Sequence, residues 1–353
     1  MGSVRYQHTA PKFSQVVWLG LSALFMLASV RAQTPSFVFF DAPDAGHGFL
    51  QGTSPVGISQ DGTIAGVYVD ASDVPHGFVR LANGQITEFD LPGKLTQIEV
   101  VGTNARGQIV GSARTGFGTR NERYHGWLRN RNGIFTGIDV PGATATVVHG
   151  INDNGEIVGE FDSGHGFLRD ANGNYTTLDG PSADSTIPQA INGNGQVTGY
   201  LYTGAVPVGF VRDADGTWTT FDVPNNTHKP DEGPYPHAIN LAGEVAGFCY
   251  DDNGQHAFVR DPSGVLTLFE MPNAIETDPA AINDQGVVGG HVIVKGTRGQ
   301  LFGPGFLRDS LGDLRFLSLP IPNTGSLVLG INDRGTMTGM YFDAAQAIHG
   351  FVK

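Results

Sequence analysis

One short phrase recurs seven times along this chain and constrains its fold more than any other feature. It consists of a small residue, usually Ile and Asn, two turn residues and a Gly, as in Gly-Ile-Asn-Asp-Asn-Gly at 150–155. The glycines that end the phrase are separated by 45, 48, 40, 48, 43 and 49 residues. A period of this size is typical of a four-stranded propeller blade. These glycines are Gly62, Gly107, Gly155, Gly195, Gly243, Gly286 and Gly335.

Each repeat divides into four predicted strands. The first strand ends in the repeated phrase, whose Asn and Gly favour a tight turn because Gly tolerates positive φ and Asn bonds its own backbone. The third strand carries His-Gly-Phe-x-Arg, as at 165–169, and the fourth ends in an aromatic residue, an acid, any residue and Pro, as at 89–92. No stretch shows a sustained 3.6-residue apolar period, so we expect almost no helix.

The two ends of the repeat array predict how it closes. The last repeat stops inside a third strand at 349–353, whereas 37–43 reads as a fourth strand without a repeat of its own. Pairing these two segments would remove exposed sheet edges. The sequence therefore predicts an all-β, seven-bladed β-propeller with four-stranded blades, in which the N-terminal strand closes the last blade.

The repeat units resemble the HAF family of bacterial extracellular repeats. The resemblance rests on Gly-Ile-Asn, Gly-x-Val-x-Gly and His-Gly-Phe-x-Arg, and it covers essentially all of 37–353. It implies secretion and a propeller-like fold but brings no defined activity or catalytic motif. The chain departs from the pattern at 208–210 and 304–306, where the His is missing.

Residues 1–32 have the features of a secretory signal peptide, which leaves 33–353 as a single domain. Arg5 and Lys12 are basic, 16–30 is apolar, and Val-Arg-Ala at 30–32 fits a cleavage site. An uncleaved anchor is the alternative, although the apolar run is shorter than the ~20 residues of a spanning helix. We expect a secreted protein, extracellular or periplasmic, without a membrane span in the mature chain.

Charge and cysteine content narrow the partners. The formal net charge is −13, which disfavours binding to nucleic acid. Cys249 is the single cysteine, so no internal disulfide can form, and its apolar surroundings predict a buried packing residue. We expect a monomer whose partner is a glycan, a small molecule or another secreted protein.

Residues that recur in every repeat are interpreted as structural. His, Arg and Asp of the third and fourth strands recur in five or six of the seven repeats and belong to this class, and we expect a polar network inside or between blades. Within it, His165, Arg169 and Asp179 are predicted to be mostly buried, hydrogen-bonded and far from any pocket. A ring of metal or anion sites is the alternative.

Polar residues of the first strand that do not recur are the candidate site. His149, Gln189 and His237 share one register in three consecutive repeats and are the predicted ligand-binding residues. Two positions earlier, Glu99, Tyr235 and Asp278 should face the same way because side chains two apart share a face. The candidate catalytic residues are His149, His237, Tyr235, Glu99 and Asp278. His149 and His237 are the candidate metal ligands, with a divalent metal as the cofactor; the alternative is that they are only polar residues in a wet channel.

The sequence leaves two classes of function open. The first is a binding or interaction protein that recognises a glycan or another extracellular partner. The alternative is an extracellular lyase, isomerase or metal-assisted hydrolase with its site at the axial channel mouth. The longer loops 114–124, 225–236 and 294–303 are a second place for binding residues. No nucleophile elbow, phosphate-cradling loop or paired-cysteine motif decides between the classes.

Overall fold

The computed structural model describes residues 36–162, 164–224, 229–251, 254–294, 303–322 and 325–353. The predicted signal peptide lies outside these residues, as do parts of the loops 225–236 and 294–303. Phe37–Lys353 forms one compact unit. The described residues contain strands, turns and bends but no helix, and hence no helix that could cross a membrane.

The strands follow the predicted order in every repeat. Ahead of the first repeat is β1 (Val38–Phe40). Repeats 1 and 2 form β2 (Gly52–Ile58), β3 (Ile64–Val69), β4 (Pro75–Arg80), β5 (Ile86–Phe89), β6 (Thr96–Thr103), β7 (Ile109–Thr115), β8 (Arg123–Arg129) and β9 (Phe135–Ile138). Repeats 3 and 4 form β10 (Thr146–Ile151), β11 (Ile157–Phe161), β12 (His165–Arg169), β13 (Tyr175–Leu178), β14 (Ser185–Ile191), β15 (Val197–Thr203), β16 (Val206–Arg212) and β17 (Trp218–Phe221). Repeats 5 and 6 form β18 (Gly233–Ile239), β19 (Val245–Asp251), β20 (Gly254–Arg260), β21 (Leu266–Phe269), β22 (Ala274–Ile282), β23 (Val288–Val294), β24 (Gly305–Arg308) and β25 (Leu314–Phe316). Repeat 7 forms β26 (Gly325–Ile331), β27 (Met337–Phe342) and β28 (Ile348–Val352).

Repeats 2 to 6 each make a separate four-stranded antiparallel sheet in chain order. Repeats 1 and 7 belong to one eight-stranded sheet, in which a single parallel pair, Gly52 with Ile348, joins β2 to β28. β1 also pairs with β28, antiparallel, with Val38 opposite Val352. The N-terminal and C-terminal strands therefore lie side by side, as the unmatched strand at 37–43 predicted.

The core is assembled from one aromatic ring per repeat. The ring belongs to the third-strand phrase and is fully or almost fully buried in each repeat: Phe78, Trp127, Phe167, Phe210, Phe258, Phe306 and Phe351. A glycine on the second strand makes room for it, since a Cβ at Gly159 would lie 2.8 Å from the Phe167 ring. The glycine is therefore required by close packing rather than by a turn.

The Asn of the repeated phrase links each repeat to the next. Asn192 donates from Nδ2 to the carbonyl of Asn240 at 2.8 Å, while its Oδ1 accepts two backbone N–H groups of its own turn. We call this chain of bonds the asparagine belt. The other donations run from Asn104 to Asn152, Asn152 to Asn192, Asn240 to Asn283, Asn283 to Asn332 and Asn332 to Ser59. In repeat 1, Ser59 replaces the Asn and donates within its own turn, to Thr63 and Asp61.

The first strands surround a central channel. Each contacts the first strand of the following repeat, and β26 contacts β2. The turns of the asparagine belt surround a cavity of about 240 Å³ at one end of the channel, the Asn-turn end. The opposite end is formed by the starts of the first strands and the ends of the second strands, where Tyr235 and Asp278 lie. We call it the open end.

Candidate functional site

The first strands do not keep a strict two-residue alternation. Their pairing with the second strand skips one residue in each repeat, and in repeats 3, 4 and 5 the skipped residues are His149, Gln189 and His237. The corresponding residues elsewhere are Val56, Val101, Ala280 and Leu329. Such a β-bulge re-aims a side chain. The three predicted ligand-binding residues thus share one register, but each is an unpaired residue that turns toward its neighbours.

His149 is oriented by the next repeat. Its Nδ1 lies 2.8 Å from the carbonyl oxygen of Pro188, and the side chain of Gln189 lies beside the same ring. Because a carbonyl only accepts, Nδ1 carries the hydrogen and Nε2 is the acceptor in the neutral ring. Nε2 lies 3.9 Å from Glu160 Oε1. Glu160 lines a cavity of about 390 Å³ with Glu99 and Tyr124.

His237 is held in a similar way but has different neighbours. Its Nδ1 lies 3.2 Å from the Pro279 carbonyl oxygen and 3.6 Å from Asp278 Oδ1. Asp278 Oδ2 lies 3.8 Å from His291 Nε2. Burial lowers the pKa of His291, and the neighbouring His237 lowers it further, whereas the charge of Asp278 acts in the opposite direction. His291 belongs to a second strand, β23, and was therefore missed by a search restricted to first strands.

The predicted site residues thus form separate pairs and do not meet in one group. His149 lies with Gln189, and His237 lies with Asp278. Glu99 forms an ion pair with Arg114 at 3.3 Å. Within the residues that the structure describes, no three His, Cys, Asp or Glu side chains are arranged to hold a metal ion. A metal bound by His149 or His237 stays a prediction.

Tyr235, a candidate catalytic residue, belongs to a group of aromatic rings at the open end. It stacks on Phe248 at 5.2 Å between ring centroids and meets Tyr200 edge-on at 4.9 Å. Tyr202 and Tyr250 extend the group through Tyr200 and Phe248 at 5.8 and 5.5 Å. We call these five rings the aromatic cluster. Tyr250 is 37% exposed.

Strand alternation explains why these rings come together. Leu201 and Cys249 are buried in the cores of repeats 4 and 5. The flanking residues, Tyr200 and Tyr202 on β15 and Phe248 and Tyr250 on β19, therefore point to the opposite face of their strands. Tyr235 of β18 contacts the ring of Tyr200 on β15 and the ring of Phe248 on β19. Its hydroxyl donates to the Asp231 carbonyl at 3.1 Å. Sequence reasoning found Tyr235 alone, because its partners lie on second strands.

Burial and nearby negative charge act on these tyrosines. Burial, Tyr202 and Glu160 raise the pKa of Tyr200 to about 12. Burial, Glu276 and Asp278 raise the pKa of Tyr250. The hydroxyls therefore stay protonated at physiological pH and are available as hydrogen-bond donors.

The loop 114–124 makes a second recess, between repeats 1 and 2. Arg114 anchors it through Glu122 at 3.0 Å and Glu99 at 3.3 Å. Phe117 is 52% exposed beside a groove of about 600 Å³, whose wall includes Leu91 and Leu95. This groove is lined by different residues from those of the aromatic cluster.

In the five repeats that contain it, the recurring histidine contacts an acidic side chain of its own sheet. His349 Nδ1 lies 2.9 Å from Asp41, and His76 Nδ1 lies 2.5 Å from Asp90. The same pairing is present for His125 with Asp139, His165 with Asp179, and His256 with Glu270. The prediction of a buried network is wrong for His165 and Asp179, whose side chains are 54% and 50% exposed. His165 begins the third strand and Asp179 follows the end of the fourth, and water reaches both at these strand ends.

The recurring arginines do not join these pairs, so the expected His/Arg/Asp network is wrong in that respect too. Arg80 stacks on Phe40, Arg129 on Phe89 and Arg260 on Phe221, with 4.8 to 5.0 Å between the guanidinium carbon and the ring centroid. Each of these rings belongs to the preceding fourth strand. Arg169 instead lies 5.9 Å from Tyr175 of its own sheet and is partly buried. Arg80, Arg129 and Arg260 thus pack between neighbouring sheets.

Cys249 is a core residue, as predicted. It is fully buried, and burial, with Asp251 contributing, raises its pKa to about 12. A thiol in this state is not a nucleophile at neutral pH.

Comparison with known proteins identifies the class of fold. No family model matches the chain, and no curated protein matches it. A catalytically inactive virginiamycin B lyase from Staphylococcus aureus, solved with quinupristin, is similar in structure. The match covers 90% of this chain and 100% of the lyase, with a TM-score of 0.56 and 16% sequence identity. A puromycin hydrolase matches with a TM-score of 0.52 and 14% identity, over 83% of this chain and 50% of its own.

The Dos1 propeller is a third similar structure. Its TM-score is 0.50 at 10% identity, over 88% of this chain and 95% of that propeller. Identities this low establish the fold and not the activity. Together with the four-stranded antiparallel sheets, they show that the protein is a β-propeller.

Proposed function

We propose that this protein is a binding protein that recognises a glycan at the open end of its channel. The observation that carries the proposal is the aromatic cluster, in which five rings from two neighbouring repeats meet beside Asp278. Aromatic faces pack against the apolar C–H faces of sugar rings, while carboxylates and tyrosine hydroxyls hydrogen-bond to sugar hydroxyls. A binding site of this composition has apolar walls and a few oriented polar groups.

We further propose that the propeller has seven blades. Three observations support this count. The first strands of the seven repeats contact one another in a closed sequence. The asparagine belt returns from Asn332 to Ser59. The eight-stranded sheet also divides at one bridging pair into β2–β5 and a group of β26–β28 with β1.

Secretion is part of the same proposal. The features of 1–32 and the resemblance to HAF extracellular repeats support it, and a glycan ligand is compatible with an extracellular location. Expression in a bacterium, followed by N-terminal sequencing of protein recovered outside the cytoplasm, tests cleavage after residue 32. Recovery of uncleaved protein in the membrane fraction would contradict it.

The test of glycan binding is a variant of the exposed ring. Tyr250→Ala should lower the affinity for a bound oligosaccharide by about two- to tenfold, since an aromatic stacking contact is worth ~0.5–1.5 kcal/mol. A glycan array with the wild-type protein identifies the oligosaccharide, and calorimetric titration measures the two affinities. Circular dichroism checks that the variant is folded.

Two exposed phenylalanines provide matched controls. Phe316→Ala removes a ring that is 40% exposed on a fourth strand, and Phe117→Ala removes the ring beside the groove. Both should leave the affinity unchanged. Loss of binding in Phe117→Ala with retention in Tyr250→Ala would move the site to the loop 114–124 and refute the proposal.

Catalysis is the second candidate, and the geometry of His149 favours it. The Pro188 carbonyl fixes the hydrogen on Nδ1, which leaves Nε2 available as a general base beside Glu160 and the cavity that Glu160 lines. If the protein converts a bound glycan, chromatography of the incubated glycan should reveal a product. His149→Gln should abolish that product without changing binding. Product formation unaffected by His149→Gln would exclude this base.

A further inference from the structure

The charges around the aromatic cluster are predominantly negative. Glu276 and Asp278 lie on β22, which packs against β19, the strand of Tyr250. Asp278 also lies 3.6 Å from His237, whose ring meets Phe248 of the cluster at 5.0 Å between centroids. The Tyr235 hydroxyl donates to the main-chain carbonyl of Asp231, and the charge of Glu160 raises the pKa of Tyr200. By contrast, Tyr175 in repeat 3 lies against a cation, Arg169. The rings of the cluster therefore lie in a field of carboxylates.

The cations near the cluster do little to offset this field. Lys229 forms an ion pair with Glu232 at 3.6 Å. His291 is held toward its neutral form by burial. Asp278 Oδ1 is buried and has no hydrogen-bond donor among the residues that the structure describes. Glu160, Asp231, Glu276 and Asp278 are therefore offset near the cluster by few of the described cations, which makes the potential at the open end negative.

We propose that the glycan recognised at the open end is a cationic saccharide, an oligosaccharide whose units carry free amino groups. This inference rests on the glycan-binding function proposed above. An ammonium group at the cluster gains from the carboxylates and from the negative faces of the aromatic rings. The same field repels glycans that carry uronate or sulfate groups, so the site selects by repulsion as well as by attraction. The net charge of −13 acts in the same direction at longer range.

A matched pair of ligands tests the charge separately from the sugar ring. Glucosamine oligomers and N-acetylglucosamine oligomers of equal length share the ring and linkage, and only the first is cationic. At about pH 6.5, where a primary amine is largely protonated, calorimetric titration should give an affinity about tenfold higher for glucosamine oligomers. Added salt should reduce this preference, because exposed charges are screened.

The outcomes separate this inference from the proposal it rests on. Equal or tighter binding of the N-acetylated oligomers would overturn the cationic preference and leave glycan binding intact. Absence of binding by either of these oligomers and by every glycan on the array would overturn both. Tight binding of a uronate oligomer would also refute the cationic preference.

Variants of the carboxylates identify the source of the preference. Glu276→Gln, alone and with Asp278→Asn, should bring the ratio of the two affinities toward one. Asp313→Asn is the control, since Asp313 is an exposed carboxylate in the outer turn of the same sheet. A preference that persists in the double variant would refute the assignment to these carboxylates.

Discussion

Asn192→Asp tests whether the asparagine belt stabilises the ring. The substitution keeps the size of the side chain and the Oδ1 atom that accepts the backbone N–H groups of the turn. It replaces Nδ2 by a carboxylate oxygen. Nδ2 donates to the Asn240 carbonyl and to Gln196 Oε1, both at 2.8 Å, and Asn192 is only 5% exposed. Two hydrogen bonds are lost and two acceptors are left facing an anion, so we expect a loss of about 2–3 kcal/mol in the free energy of unfolding.

Urea unfolding followed by tryptophan fluorescence measures this loss as a lower midpoint at unchanged slope. Asn132→Asp, in an exposed outer turn, makes the same chemical change outside the belt and should leave the midpoint nearly unchanged. Ser59→Asn makes the opposite change. It supplies the donor that repeat 1 lacks, toward the Asn104 carbonyl, and should stabilise the protein by about 0.5–1.5 kcal/mol.

The result that would refute this reasoning is an Asn192→Asp midpoint equal to that of Asn132→Asp. The bonds between repeats would then contribute nothing beyond the turns that they accompany. A destabilised Ser59→Asn would show instead that the first repeat is shaped around serine, and that the belt is not missing a link there.

Three further predictions concern the pairs and packing described above. Against the effect of burial, Asp90 and Asp70 raise the pKa of His76. The contribution of His76 to the free energy of unfolding is therefore complete below pH ~6.5, the pKa of an unfolded His, and is lost as the pH rises through the higher pKa of the folded state. The unfolding free energies of wild type and His76→Gln should converge toward alkaline pH. Phe40 packs on Phe78 and under Arg80, so Phe40→Ala should cost about 2–4 kcal/mol in urea unfolding, whereas the exposed Phe316→Ala should cost under ~1. Cys249 should resist iodoacetamide in the native protein and react in urea, as followed by mass spectrometry; rapid native alkylation would contradict its burial.

The repeated phrase predicts the strands well because each turn is specified locally. In repeat 3, Asn152 and Gly155 form the turn between β10 and β11, and Phe167 fills the core beside Gly159. These relations span only a few residues or one strand pair, so they can be derived from spacing. The pairing of Val38 with Val352 was also predictable, since the last repeat lacked a fourth strand and the strand at 37–43 lacked a repeat.

The site was less predictable because it depends on contacts between repeats. Strict alternation placed His149 and His237 in one funnel, whereas the bulges turn each toward a proline carbonyl of the next repeat. Pro188 and Pro236 directly precede bulged residues, and this was the available signal, since proline cannot donate to a ladder and favours bulges. The partners of Tyr235 lie on second strands, which a comparison of first strands does not consider.

The pairing of β1 with β28 has a kinetic consequence during synthesis. Val38 is among the first residues of the propeller to be made, but its partner Val352 is added some 300 residues later. Until then Phe37, Phe39 and Phe40 have no sheet to join, and the growing chain is an open arc with an unpaired edge at each end. Ribosomes that stall before Ile348 should therefore release an aggregation-prone arc, and chaperones should engage this chain at its earliest aromatic residues.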